Sequence, residues 1–217
     1  MSKFERLMPL FGELALDKLA ASTVAVIGIG GVGGEAAICL ARSGVGNIII
    51  CDYDLVEESN INRQIVASTK TIGLNKTDCL EKMIKDINPS CNVYKLTKKV
   101  DKDLFNLKID FLIDCIDDIN SKIDLISGCI DKKVPFISSM GAAKKVDPSK
   151  VCVTKLSKTA YDPVAKVMRN RFKNKDFYVV SSTEEPKCSG LGSYMPVVAT
   201  FSLLLSDYCI KYIINKE

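Results

Sequence analysis

The sequence predicts an α/β fold of Rossmann-like type: a doubly wound, mainly parallel sheet with helices on both faces and a C-terminal elaboration. Three observations predict it. Short β-branched runs alternate with helical stretches through residues 1–140, the first run ends in the glycine cluster GIGGVG at 28–33, and the second ends in Asp52. Strand and helix signals that alternate in this way imply parallel strands joined by crossover helices. The 217 residues suffice for one large domain, read as a core over 1–140 followed by a C-terminal part over 141–217.

Each element follows in order. TVAVIG (23–28) reads as a buried strand, a helix is expected over 31–43, and NIIICD (47–52) is a second buried strand. An amphipathic helix over 75–87 leads to the strand CNVYKL (91–96), then FLIDC (111–115), a helix over 120–132 and VPFISS (134–139). Beyond Gly141 the rhythm changes to VCVTKL, a basic helix, FYVVSS and an apolar helix beginning near Pro196. Residues 188–206 carry no charge over 19 positions, which is nearly membrane length, but Gly190, Gly192 and Pro196 interrupt them, so a buried helix is expected instead of a span. The opening MSKFERLMPLF lacks a long apolar run, so no secretory signal is expected.

Composition narrows the function classes. A net charge of +4 is too small to indicate nucleic-acid binding by itself, so any polyanion site must be local. Nine cysteines stand singly without a C-x-x-C pair, which suits free thiols in a reducing compartment such as the cytoplasm. With no histidine as well, no structural zinc is expected.

GIGGVG fits G-x-G-x-x-G directly after a strand, which makes Gly28, Gly30, Gly31 and Gly33 candidates to admit phosphate to backbone amides at a helix N-terminus. Asp52 is placed to take ribose hydroxyls. A nicotinamide dehydrogenase would need a proton donor, and this chain has no histidine, while Tyr161 and Lys166 stand five apart and align poorly on a helix. Arg63, between Asn62 and Gln64, suits phosphoryl chemistry better, because fixed positive charge is what an expanding polyanion requires. Lys76 offers a second cation, and Asp117, at the carboxyl edge of the sheet, could hold magnesium. Singly, each of these is more often a solvated surface charge.

Taken together, the motifs resemble the ubiquitin-activating-enzyme-like superfamily of adenylating enzymes. The resemblance rests on the ordered set R-x-x-x-L-F-G from Arg6, GIGGVGG, Asp52, NINRQ from Asn60, GLNK ending at Lys76, and DCID ending at Asp117. It implies ATP on the glycine loop, ribose at Asp52, phosphates at Asn60, Arg63 and Lys76, magnesium at Asp117, and a homodimer in which Arg6 reaches across from the partner.

Residues 138–172 resemble the tRNA threonylcarbamoyladenosine dehydratase branch, through G-A-x-x-x-x-D-P at 141–148, K-T at 158–159 and D-P-x-A-x-x-x-R at 162–169. The branch implies an ATP-dependent dehydratase that cyclises the modified adenosine through carboxylate adenylation. The stretch between Val179 and Cys188 is shorter than the crossover of that branch. Without the family, the same region still shows seven cations (Lys155, Lys158, Lys166, Arg169, Arg171, Lys173, Lys175) against Asp162 alone. Val164, Met168 and Phe172 form an apolar stripe, so Lys166, Arg169 and Lys173 are expected to face away from the core, where a basic face suits tRNA phosphate.

Two other functions remain open on the residues: adenylation of the C-terminal glycine of a small ubiquitin-like sulfur carrier, and a non-catalytic nucleotide-binding module. No sulfurtransferase partner is assigned. Cys188 has no histidine or evident base beside it, which does not favour a nucleophilic role.

Overall fold

The computed structural model describes residues 3–190 and 192–216; Leu191, within the uncharged stretch, lies outside them. Among the described residues seven strands form: β1 (Thr23–Ile27), β2 (Asn47–Cys51), β3 (Asn92–Leu96), β4 (Phe111–Asp114), β5 (Phe136–Ser139), β6 (Val151–Lys155) and β7 (Tyr178–Ser182). Among the described residues the α-helices are α1 (Met8–Phe11), α2 (Glu13–Ala21), α3 (Gly31–Arg42), α4 (Lys76–Ile87), α5 (Ile119–Lys132), α6 (Pro163–Arg171) and α7 (Met195–Asn215).

The strands form one sheet in the order β3-β2-β1-β4-β5-β7-β6. β1 pairs parallel with β2 and β4, and β6 alone runs antiparallel, with Lys155 opposite Tyr178. Period-two alternation along β1 sends Val24 and Val26 to one face and Ala25 and Ile27 to the other. Both faces are covered, by α3 and α7 on the first and by α5 on the second, which is why β1, β2 and β4 read as unbroken apolar runs.

α7 is the one helix among the described residues long and apolar enough to cross a membrane. It instead packs Val197, Phe201, Leu205 and Cys209 into the core with no exposure. Each large apolar side chain so buried contributes about 1.5–3 kcal/mol. Ser206, fully buried, donates its hydroxyl to the Ser202 carbonyl at 2.7 Å and stands 3.3 Å from the Ala36 carbonyl, so the small residues of α3 let the two helices approach closely.

Two features depart from the sequence expectation. α1 and α2 lie ahead of β1 where no helix was expected, because Pro9 sits in the first and most of their side chains are exposed, leaving a weak apolar stripe. The antiparallel return of β6 was also not legible, since strand polarity at a sheet edge leaves no periodic mark.

Candidate nucleotide-binding site

The loops leaving the carboxyl ends of β1, β2, β3, β4 and β5 converge on one cleft of about 530 Å³, lined by Gly28, Asp52, Lys98, Asp117 and Met140 among others. Open parallel sheets bind ligands here, where neighbouring strands send their connections to opposite faces. β1 and β4 are the adjacent strands at which that reversal occurs.

Gly28 has φ 82, and a Cβ there would lie 2.8 Å from the Cys115 carbonyl oxygen, so the chain turns into the helix only with glycine. Gly30 precedes α3 with no side-chain cap, which leaves the amides of the first turn and the positive end of the helix dipole at the cleft. Gly31 lines the cleft too. Gly33, expected among the nucleotide-binding glycines, is not part of the lining; a Cβ there would stand 1.9 Å from the Gly28 carbonyl oxygen, so it serves close helix-to-strand packing.

Asp52 is held by two backbone amides, Ile29 donating to Oδ2 at 2.8 Å and Asp54 donating to Oδ1 at 2.9 Å. That fixes the carboxylate at the cleft rim while leaving lone pairs for a diol. Lys76, at the start of α4 and only 5% exposed, reaches Asp54 with an Nζ–Oδ2 distance of 2.7 Å. No local sequence pattern marks this pairing, which spans 22 residues.

The amides flanking Arg63 have separate roles. Arg63 Nη1 donates to the Ser59 carbonyl at 2.7 Å and to Asn62 Oδ1 at 3.0 Å, while Asn62 Nδ2 donates to the Ser193 carbonyl at 3.1 Å. One amide therefore orients the guanidinium and ties its loop to the segment before α7. Gln64 is buried, lines the cleft near Gly30, and its Oε1 has no hydrogen-bond partner. An orphaned acceptor of this kind suits a ligand donor. Asn60, also buried and at the cleft, accepts from the Arg63 and Gln64 amides through its carbonyl and from the Glu57 amide through Oδ1 at 3.2 Å.

Asp117 is exposed at the cleft, with no hydrogen bond or ion pair among the described residues. No group of three or more acidic or thiol side chains gathers there that could hold a metal by itself, among the described residues. A lone carboxylate fits magnesium, which keeps waters and takes one or two carboxylates plus substrate phosphates. The next residue, Asp118, caps α5, and the Ser121 hydroxyl and amide, with Lys99 adding less, hold it below the ordinary carboxylate range.

Several cleft residues escaped the sequence reading. Lys98 and Lys99 add two exposed cations, and Asp101 bonded to Lys98 pushes that ammonium's pKa up. Beneath the cleft lies a buried ion pair, Lys122 Nζ to Asp114 Oδ2 at 2.7 Å, with exposures of 1% and 0%. Ser138 Oγ donates to the same oxygen at 2.6 Å, and Lys122 also donates to the Ser139 carbonyl at 3.0 Å. The Ile116 amide donates to Asp114 Oδ1 at 3.0 Å, so this pair anchors the loop that carries Asp117. Met140, Gly141, Ala142 and Ala143 form a further wall, joined by Val164 from α6 and by Ser193.

The structure does not bring every expected residue here. Arg6 is exposed in the turn Glu5–Leu7 and is not part of the cleft lining of its own chain. In the basic segment, Met168 and Phe172 are buried as the stripe implied, and Lys166, Arg171, Lys173 and Lys175 are exposed. Arg169 departs from the expectation, because its Nη1 donates to the Thr159 carbonyl at 2.9 Å. Lys155 sits 4.0 Å above the Tyr178 ring, and Cys188 is exposed and outside the cleft lining.

Comparison with known proteins agrees with the fold. The chain is 42% identical over 194 residues to the tRNA threonylcarbamoyladenosine dehydratase of Bacillus subtilis, covering 86% of this chain and 76% of that protein. The protein of the same description from Escherichia coli is 39% identical over 179 residues, covering 81% of this chain and 66% of that one. The crystal structure of E. coli tRNA N6-threonylcarbamoyladenosine dehydratase in complex with ATP superposes with a TM-score of 0.93 at 35% identity, covering 99% of this chain and 94% of that chain. The model of the ThiF family matches residues 4–217, and this chain belongs to that family.

Proposed function

We propose that the protein is an ATP-dependent dehydratase that converts threonylcarbamoyladenosine in tRNA to its cyclic form by adenylating the threonyl carboxylate. The observation that carries this is the single cleft in which the glycine loop, Asp52, Arg63, Lys76 and Asp117 meet. The likeness over 99% of the chain to an ATP-bound enzyme of that activity supports it.

The carboxylate is already ionised at neutral pH, so a chain without histidine needs no general base for the first step. A carboxylate oxygen bonds to the α-phosphorus of ATP, and the bond to the bridging oxygen breaks with release of pyrophosphate. The carbamoyl oxygen then bonds to the activated carbonyl carbon, AMP leaves with the electron pair, and the carbamoyl nitrogen loses a proton to solvent. The RNA has lost one water.

Arg63 and Lys76 offset charge that grows on the phosphates, and Asp52 holds the ribose without joining the chemistry. Asp117 is the residue that would hold magnesium, whose charge, when bound, neutralises the triphosphate. The five exposed cations of residues 155–175, Lys158, Lys166, Arg171, Lys173 and Lys175, dock the tRNA backbone.

A homodimer completes the reading, with Arg6 supplied to the partner's cleft. Leu10 and Leu14, each 72% exposed on α1 and α2, are apolar surface that a second copy would cover. Nine free thiols suit a cytoplasmic setting.

Incubation with Mg·ATP and threonylcarbamoylated tRNA, followed by mass analysis of the nucleosides, tests the activity. Loss of one water is expected. An unchanged nucleoside, with pyrophosphate appearing only when a small carrier protein is added, would overturn it.

A further inference from the structure

The cleft wall at residues 139–143 is held from behind by buried charge. Asp162, 4% exposed, accepts the Gly141 amide at Oδ2 (2.9 Å), the Ala165 amide at Oδ1 (3.0 Å) and the Ser181 hydroxyl at Oδ2 (3.3 Å). The Ala165 bond is an ordinary helix cap. The Gly141 bond is not, since it runs 21 residues back along the chain to the wall that faces the glycine loop.

Around it, Lys145 is 3% exposed and donates to the carbonyls of Tyr161 and Glu184. Glu184, 1% exposed, accepts the amides of Val146 (2.9 Å) and Asp147 (3.0 Å) at one oxygen. Lys144 and Tyr161 hold φ values of 64 and 53, a left-handed conformation that non-glycine residues keep only where the surroundings over-determine it. The Ser or Thr of a typical cap would satisfy the helix end alone, so a buried carboxylate with two engaged oxygens is more than capping requires.

The direction of α6 gives this bracket a use. Its first turn, with Val164, lines the cleft, and Lys166, Arg171 and Lys173 stand exposed further along and beyond it. We propose that Asp162 is a positioning residue that clamps the Gly141 wall to the first turn of the basic helix, so that RNA docked on the helix presents its carboxylate in register with the α-phosphorus of ATP. The proposal rests on the function given above. Misplacing reacting groups by about 1 Å is enough to cost on the order of 100-fold in rate.

The test uses the full chain with Asp162→Asn, Gly141→Ala and the double variant. A Cβ at Gly141 would stand 3.3 Å from Asp162 Oδ1, so the second substitution strains the same contact from the other side and carries the test if the first variant does not fold. ATP titration counts competent sites, and turnover is expressed per site with RNA saturating.

Each single variant is expected to keep ATP and RNA affinities within about threefold while per-site turnover falls about 30–100-fold. The double variant should be no slower than the worse single, because both disturb one contact. Unchanged per-site turnover with fewer competent sites, or ATP affinity lost in step with turnover, overturns the proposal.

Hydrogen exchange of the amides at 139–143 separates this from failure of the function. RNA binding should slow exchange there about tenfold or more in the unaltered protein and not in Asp162→Asn. If the unaltered protein binds RNA and shows that slowing but never dehydrates it, the clamp stands and the activity falls; no slowing on binding removes the clamp.

Discussion

The two sides of the cleft are built on different principles. On the glycine-loop side, side chains are aimed by backbone: Asp52 is gripped by two amides, Arg63 leans on the Ser59 carbonyl, and α3 presents its uncapped first turn. On the far side, the wall at Gly141 is held by the buried carboxylate of Asp162, and buried Lys145 and Glu184 brace the segment that follows it. The first arrangement suits a ligand whose phosphates are always the same shape. The second joins the wall to a basic helix and suits a macromolecule that has to be registered as well as bound.

The largest effect expected on the glycine-loop side is in rate. Arg63→Ala should lower pyrophosphate formation by about 10³-fold or more, equivalent to about 4 kcal/mol, while ATP affinity shifts far less. Equal losses in both, measured by product release and ATP titration, would reduce the arginine to a binding residue.

Beneath both sides, Lys122→Ala leaves buried Asp114 without its partner, and urea unfolding should show a loss of about 3–5 kcal/mol. A loss under about 1 kcal/mol would mean that this pair does not anchor the loop that carries Asp117.

On the far side, Lys166→Ala with Lys173→Ala should weaken RNA binding and reduce its log–log salt slope by about 1–2, leaving ATP affinity unchanged. An unchanged slope would assign the helix a face that solvent alone meets.

The smallest effect concerns acid stability. The amides of Asp147 and Val146, with Lys187 adding less, hold Glu184 below its ordinary value of 4.5. A carboxylate depressed in the folded state contributes stability that is present above the unfolded pKa and lost as pH falls through the folded one. The stability advantage of the unaltered protein over Glu184→Gln should therefore narrow as pH drops below 4.5, and an advantage constant with pH would contradict it.

The same contrast explains what could be read from the chain. Strands β1, β2, β4 and β5 were legible because burial on both faces leaves continuous apolar runs, and GIGGVG marked the turn after β1. Gly28, Asp52, Asn60, Arg63, Lys76 and Asp117 were found by motif order, and all six line the cleft. Lys122 and Lys145 were not found, since a lysine in a helix or loop ordinarily belongs to solvent and only the fold shows which carboxylates and carbonyls surround it. In the sequence Asp162 is the lone acid of a basic stretch and the first residue of D-P-x-A-x-x-x-R, and its bond to Gly141, 21 residues away, lies beyond any local pattern. Gly33 is expected among the phosphate-binding glycines, but it stands at the third glycine of G-x-G-x-x-G, where the need is for close helix-to-strand packing.

The most direct test of the central claim is stoichiometry. Radiolabelled ATP supplied to the protein with threonylcarbamoylated tRNA should yield one AMP and one pyrophosphate for each nucleoside that loses water. Dehydration accompanied by ADP and inorganic phosphate would place the chemistry at the γ-phosphorus and contradict the account.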